Sequence, residues 1–305
     1  MACEAPRQNP LDPHNPDSRF VDLIGEVKTL RLPHNPLQNA KVSWQPAQKF
    51  VYTGEDGSFH FENLLPENGW LVTSKSGFLP DSMFVDWQNS TTSDIEFFLN
   101  QIPLLLQKSL YTIVLNRYPD LKSYQIGVSI RLDDQDNDIK TVRLHNADLS
   151  IDTVLPYNPE KMAFEKLFSL YDLHLNDIEQ LIGYNFTILV TDQYDHTIKA
   201  GETGATRIIE AEVKFKSPLN YQPVSTTPQL AWHSFDPGFS FHFKAEVYTD
   251  EIAPQRVWEK DNIPSTATNI TLSPALAAGD YFWIIWCIDE YGNRSRSKPA
   301  SFTVR

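Results

Sequence analysis

The chain has 305 residues and a formal charge of −13, from 39 acidic against 26 basic side chains. Its 41% apolar residues can fill the cores of two or three domains, which excludes global disorder. No segment is basic, and the longest apolar run, Tyr281 to Ile288, is far short of the ~20 residues of a membrane helix, so neither a nucleic-acid partner nor a membrane span is expected.

Residues 1–19 form a polar leader interrupted by Pro6, Pro10, Pro13 and Pro16. Cys3 follows Met-Ala within it, and two readings stay open: the acylated cysteine of a bacterial lipoprotein, giving a lipid anchor, or an ordinary cysteine in a tail. The other cysteine, Cys287, falls in a predicted core strand, so no disulfide framework is expected.

From residue 20 the texture is β: short runs rich in Val, Ile, Phe, Tyr and Trp, broken by Pro, Asn, Asp and Gly. Ala40, Val42 and Trp44 share one strand face. A turn at Thr53-Gly54-Glu55-Asp56-Gly57 leads to Phe59 and Phe61 at period two, and Trp70 and Val72 continue the alternation. The series Gly25-x-Val27, Ala40-x-Val42, Thr53-x-x-Asp56-Gly57-x-Phe59-x-Phe61-x-x-Leu64 and Lys75-x-Gly77-Phe78 resembles the carboxypeptidase regulatory-like domain. That resemblance implies a small transthyretin-like sandwich over residues 20–103. It implies no catalysis, and the peptidase's zinc-binding motif is not found in the sequence.

Residues 104–215 are read as an immunoglobulin-like sandwich. Tyr184, Phe186, Ile188, Val190, Asp192 and Tyr194 repeat at an offset of 97 residues in Tyr281, Trp283, Ile285, Cys287, Asp289 and Tyr291, about one sandwich domain apart. Tyr124 to Leu132 and Ile139 to Leu144 are expected to form a hairpin. A short helical insert is expected to start at Asn158-Pro159 and again at a capping-box-like Asn176-x-x-Glu179. Between the hairpin strands lie Asp133, Asp134, Asp136 and Asp138. Their carboxylates, with Asp192 at the same end of the sandwich, can offer the oxygens calcium takes. The loop lacks the glycine and the twelfth-position glutamate of an EF-hand. A solvated turn is the favoured reading, with a calcium site as the alternative cofactor assignment.

Over residues 216–305 the Trp232 strand, the alternation Phe239, Phe241, Phe243, Ala245, Val247, and the Leu272-x-x-x-Leu276-x-x-Gly279-x-Tyr281-x-Trp283 series resemble a fibronectin type III domain. The resemblance implies a corner tyrosine at Tyr281. In the run from Tyr281 to Ile288 both strand faces are apolar, so Phe282, Ile284 and Trp286 point out of the sandwich. They make a candidate binding surface for a protein or a glycan, unless a neighbouring domain or long loop covers them. Trp87 and Trp258 are further candidates for surface aromatics.

No His-x-x-x-His pair, nucleophile elbow or glycine-rich phosphate loop occurs, and catalytic residues are not expected. The expectation is therefore an all-β chain of three tandem sandwiches: transthyretin-like, immunoglobulin-like with a short helical insert, and fibronectin type III-like. Its expected role is a non-catalytic, extracytoplasmic protein of the cell envelope, outer-membrane lipoprotein or secreted, that spaces or binds. A carbohydrate-binding surface protein and an accessory part of an extracellular hydrolase are the alternatives.

Overall fold

A computed structural model describes residues 20–87 and 92–305. Regular structure is β throughout, and β-sandwich domains account for it. The helical segments among the described residues are two 3-10 turns, Tyr171–Leu173 and Ile178–Leu181. No helix among these residues is long and apolar enough to cross a membrane.

The N-terminal sandwich is built from β1 (Val21–Thr29), β2 (Lys41–Trp44), β3 (Lys49–Tyr52), β4 (Ser58–Leu64), β5 (Gly69–Ser74), β6 (Asp81–Val85) and β7 (Thr92–Leu99). One sheet runs β4-β1-β7 and the other β3-β2-β5-β6. Alternate residues point inward as the period-two pattern requires, and Val27, Val42, Trp44, Phe61, Leu71 and Phe97 fill the core. Gly57 makes the β3–β4 turn at φ 78°, where a Cβ would also stand 2.6 Å from the Val27 carbonyl oxygen. Trp70 corrects the expected alternation. Leu71 and Thr73 take the inward positions, and Trp70 is 48% exposed. Trp70-Leu71-Val72 is apolar at every position, so composition alone does not fix its parity.

One compact unit runs to Leu104 and takes in Asp134–Asp138; a second comprises Leu105–Asp133 and Ile139–Arg305. The second unit contains two cores. The middle sandwich has β8 (Leu104–Arg117), β9 (Leu121–Asp133), β10 (Ile139–Asn146), β11 (Ile151–Leu155), β12 (Tyr157–Asn158), β13 (Ala163–Ser169), β14 (Phe186–Asp192) and β15 (Thr197–Thr203). Its sheets run β11-β10-β14-β15 and β12-β13-β9-β8. The expected β9–β10 hairpin does not form. Ile126, Val128 and Ile130 of β9 face Val142 and Leu144 of β10 across the core, so the two strands belong to opposite sheets. The helical expectation is corrected too. Asn158 lies in β12, and the capping box is one residue later than expected: Asp177 accepts from the Glu179 amide while Gln180 accepts from the Asp177 amide.

The C-terminal sandwich has β16 (Phe215–Ser217), β17 (Gln222–Val224), β18 (Gln229–Trp232), β19 (Phe241–Thr249), β20 (Arg256–Pro264), β21 (Asn269–Thr271), β22 (Gly279–Asp289), β23 (Arg294–Arg296) and β24 (Ala300–Val304). Trp232, Phe243, Trp283, Ile285 and Phe302 fill its core, joined by Ile209 and Val213. The Tyr281 hydroxyl donates to the Ala277 carbonyl at 3.1 Å, the backbone bond implied for a corner tyrosine. β16-β18-β21 form one sheet. The other sheet does not stop at the domain: β20-β19-β22-β23 continues into β8-β9-β13-β12 through a parallel β23–β8 pairing.

Candidate functional site

The sequence-predicted positions fall in separate places. Cys3 lies outside the described residues. Asp133 ends β9 exposed, and Asp134 and Asp136 accept from the Asp138 amide at 2.9 Å and the Gln101 amide at 2.8 Å. Asp138 is buried. Asp192 instead caps its own hairpin: its Oδ1 accepts from the Tyr194 and His196 amides, both at 2.8 Å, and its Oδ2 meets the His196 ring at 2.9 Å. Among the described residues no three His, Cys, Asp or Glu side chains come together to hold a metal ion. Asp134 and Asp136 each spend an oxygen on a backbone amide, as Asp does in turns.

The aromatic stripe also differs from the expectation. Ile284 is only 4% exposed, and Phe282 and Trp286 are half-buried. The cover comes from the outer face of the same sheet. Tyr248 stacks on Phe282 with ring centroids 5.3 Å apart, and the Trp286 indole donates to Glu246 at 2.9 Å. Glu246 is itself buried, ion-paired to Lys244 and Arg256, and accepts from the Tyr248 hydroxyl. Burial pushes its carboxyl up, but the Trp286, Lys244 and Tyr248 hydrogen bonds outweigh it, so Glu246 titrates below the usual carboxylate range. Trp87, 3% exposed, packs edge-on against Trp44 and donates to the Glu67 carbonyl. Trp258 is half-buried against the C-terminal core.

An open face of four aromatics lies in the N-terminal sandwich, where the sequence pattern pointed elsewhere. On the outer side of β3-β2-β5-β6, Phe50 and Tyr52 form one edge-to-face pair at 5.8 Å, and Trp70 and Phe84 another at 5.5 Å. All four are exposed, with Lys41 Nζ 4.6 Å above the Phe50 ring. Ser43 lies between them in register, paired with Phe50 on one side and Val72 on the other.

The second feature is the joint between the middle and C-terminal sandwiches. Arg294, Ser295 and Arg296 pair in parallel with Ile113, Val114 and Leu115. The inward side of this pairing is polar and almost wholly enclosed: Thr112, Asn116, Asp289, Asn293 and Ser295 are all buried. Asn293 Oδ1 accepts from the Thr112 amide at 2.9 Å, and its Nδ2 donates to Thr206 Oγ1 and Asp289 Oδ2. The Thr112 hydroxyl donates to the Arg207 carbonyl at 2.7 Å, while the Arg207 guanidinium reaches Asp289 at 3.2 Å and stacks on Phe239. Asn116 donates to Ser295 Oγ and the Arg296 carbonyl. At the rim, Lys298 bridges the Pro119 carbonyl and Asp120. Each of these buried groups has a partner from the other sandwich or from the connecting segment, so parting the two would strand several of them at about 1–3 kcal/mol each.

An open cleft of about 730 Å³ flanks the joint, lined by Lys108, Tyr111, Glu202, Glu290, Tyr291 and Arg294 among others. The hydrogen bond from Lys199 holds Glu202 below the usual carboxylate range, which suits an ion-paired surface acid rather than a proton donor.

No family model matches the chain, and no curated protein matches it. Among solved structures it is similar to the major pilin subunit of Bacillus cereus, at 12% identity over 93% of this chain and 95% of that one with a TM-score of 0.30. It is also similar to fibronectin(III)-like modules of Clostridium thermocellum CbhA, at 10% identity over 67% and 93% of the two chains with a TM-score of 0.31. A tetra-tandem repeat from the extending region of a large adhesion protein matches at 10% identity over 93% and 74%, with a TM-score of 0.21. The fold class rests on the strands and cores of the chain itself.

Proposed function

We propose that this chain is a non-catalytic module of the cell surface whose joined sandwiches act as a stiff spacer presenting binding faces. The observation that carries the reading is the β8–β23 pairing with its buried polar network. A flexible tether needs only a linker; a shared sheet lined by Thr112, Asn116, Asn293 and Ser295 fixes one sandwich against the other. Within the same reading the first sandwich is a carboxypeptidase regulatory-like domain and the last a fibronectin type III-like domain, and Cys3 is the site of a lipid anchor in the envelope. Acyl labelling that survives Cys3→Ser would remove the anchor from the reading.

The spacer is tested by spin-label distances between the middle and C-terminal sandwiches in a Cys3→Ser background, with labels at Ser150→Cys and Glu251→Cys. Cys287 stays unlabelled, because burial first and the Asp289 charge second push its thiol up to about 12. A single narrow distance distribution is expected. A broad one would contradict the spacer.

A second reading, glycan binding, is favoured by the Phe50, Tyr52, Trp70 and Phe84 face. Aromatic faces beside hydroxyls stack on sugar rings, and a polar-rimmed exposed apolar patch marks a contact surface. Affinity electrophoresis in polysaccharide gels tests it: retardation lost in Trp70→Ala supports it, and unretarded wild-type migration across all glycans tried opposes it.

A further inference from the structure

The outer side of the joint differs from its inner side. Arg296 shares a row with Trp286 and Leu115, and Arg294 the next row with Ile288 and Ile113. The Arg294 guanidinium lies 5.0 Å from the Tyr111 ring centroid and 5.5 Å from that of Trp286. Tyr111 can lie there because β9 offers Gly127, whose absent Cβ would stand 2.2 Å from the phenol ring. The Nε atoms of Arg294 and Arg296 are shielded from water with no hydrogen-bond partner among the described residues. Neither these two arginines nor the exposed Arg117 is within ion-pair distance of a carboxylate among those residues. Of the acids around this face, Glu246 and Glu259 are engaged by Lys244 and Arg256, Glu165 by Lys161 and Glu202 by Lys199. Burial first and the Arg117 charge second push the Arg296 pKa down. A chain with 39 acids for 26 bases has carboxylates to spare, yet it leaves a line of arginines unpaired. Half-buried guanidinium groups without partners carry a desolvation cost that an incoming anion would offset.

We propose that this face docks an extended acidic segment of a partner protein, with carboxylates at alternate positions seated on Arg294, Arg296 and Arg117. The spacing selects a polypeptide. Arg294 and Arg296 are two residues apart on β23, and Arg117 is two beyond Leu115, which pairs with Arg296, so the cations repeat every ~6.6–6.8 Å along the strands. Same-side carboxylates of an extended chain repeat at that interval. Stacking on Tyr111 and Trp286 orients the Arg294 guanidinium before the partner arrives, which lowers the entropy cost of docking. The net charge of −13 does not forbid the contact, because at physiological salt screening acts over about 8 Å and the local face decides. The docking face rests on the same β8–β23 pairing that carries the spacer reading, since Tyr111 and Arg117 come from one sandwich and Arg294 and Arg296 from the other; lost binding beside a single narrow spin-label distance would overturn this proposal and leave the spacer.

The test is titration calorimetry on the full chain at about 0.15 M salt, with a (Glu-Thr)6 peptide, a peptide of six glutamates at every third position, and polygalacturonate. The alternating peptide is expected to bind, to be released at high salt, and to lose about tenfold in affinity in Arg296→Gln, the order expected for one charge-assisted pair. Arg117→Gln, an exposed substitution that leaves the fold alone, is expected to weaken binding severalfold and decides the matter if Arg296→Gln does not fold. Absence of binding, equal affinity for the third-position peptide, tighter binding of polygalacturonate, or indifference to Arg117→Gln would each overturn the proposal.

Discussion

Asp192 and Asp289 occupy the same point of two equivalent strands, 97 residues apart, and each caps the turn that follows. Asp192 Oδ1 accepts from the Tyr194 and His196 amides; Asp289 Oδ1 accepts from the Tyr291 and Asn293 amides at 2.9 Å. Beyond the backbone the two part company. At the middle hairpin the residue four on is His196, whose side chain is more than half exposed and bonds back to Asp192 within the same turn. At the C-terminal turn it is Asn293, fully buried, whose side chain bonds to Thr206, to the Thr112 amide and to Asp289, while Asp289 itself also meets Arg207. One local device thus closes a hairpin within one sandwich and makes the fastening between two sandwiches in the other. The Asn293 side-chain amide, accepting at Oδ1 and donating at Nδ2, converts a cap into a joint.

The comparison breaks most sharply at Asp289. Asp289→Ala removes the acceptor for two turn amides, Asn293 and Arg207 at once, and should lower unfolding free energy by about 3 kcal/mol in urea titration, as loss of one member of a buried charged pair does. A loss under half that would reduce the joint to an ordinary cap. Thr112→Val keeps the shape but deletes the hydroxyl bond to the Arg207 carbonyl, with an expected cost of about 1–2 kcal/mol in the same titration. The matching change at the middle hairpin, Asp192→Ala, should cost about 1 kcal/mol, the value of a lost cap.

That smaller effect carries a pH signature. Burial pushes the Asp192 carboxyl up, but the His196 and Tyr194 hydrogen bonds outweigh it and hold it below the usual range. A carboxyl depressed in the fold stabilises above its unfolded pKa of about 3.9, and that contribution disappears as pH falls through the lower folded value. The difference between wild type and Asp192→Ala should therefore be constant near neutrality and shrink below about pH 4; a difference that grows on acidification would refute the cap. His196→Ala removes the ring's contacts with Asp192 and Tyr194 but leaves the backbone cap in place, and should change stability by no more than about 0.5 kcal/mol.

What could be read from the sequence follows from the range of the interactions involved. Ala40, Val42 and Trp44, or Phe186, Ile188 and Val190, declare their inward faces because the polar residues between them leave one choice of parity. Trp70 and the Phe282–Trp286 stretch do not, since both parities are apolar there. Their exposure is set by neighbours on other strands, Lys244, Glu246 and Tyr248 in the second case. The joint was illegible for a stronger reason: β8 and β23 pair across about 180 residues, and Asn116 and Asn293 look like ordinary surface amides until the strands meet. The arginine line has no sequence signal either, because whether a cation lacks a partner is a property of the folded surface.

The most direct test of the joint is native-state hydrogen exchange at the Thr112 amide, which donates to the Asn293 side chain rather than to another strand. If the two sandwiches open only on global unfolding, Thr112 should exchange as slowly as the Ile285 amide in the C-terminal core, and Asn293→Ala should accelerate it while leaving Ile285 slow. Exchange at Thr112 as fast as at the fully exposed loop residue Ile252 would mean that the sandwiches part freely in the folded protein, and would contradict a fixed joint.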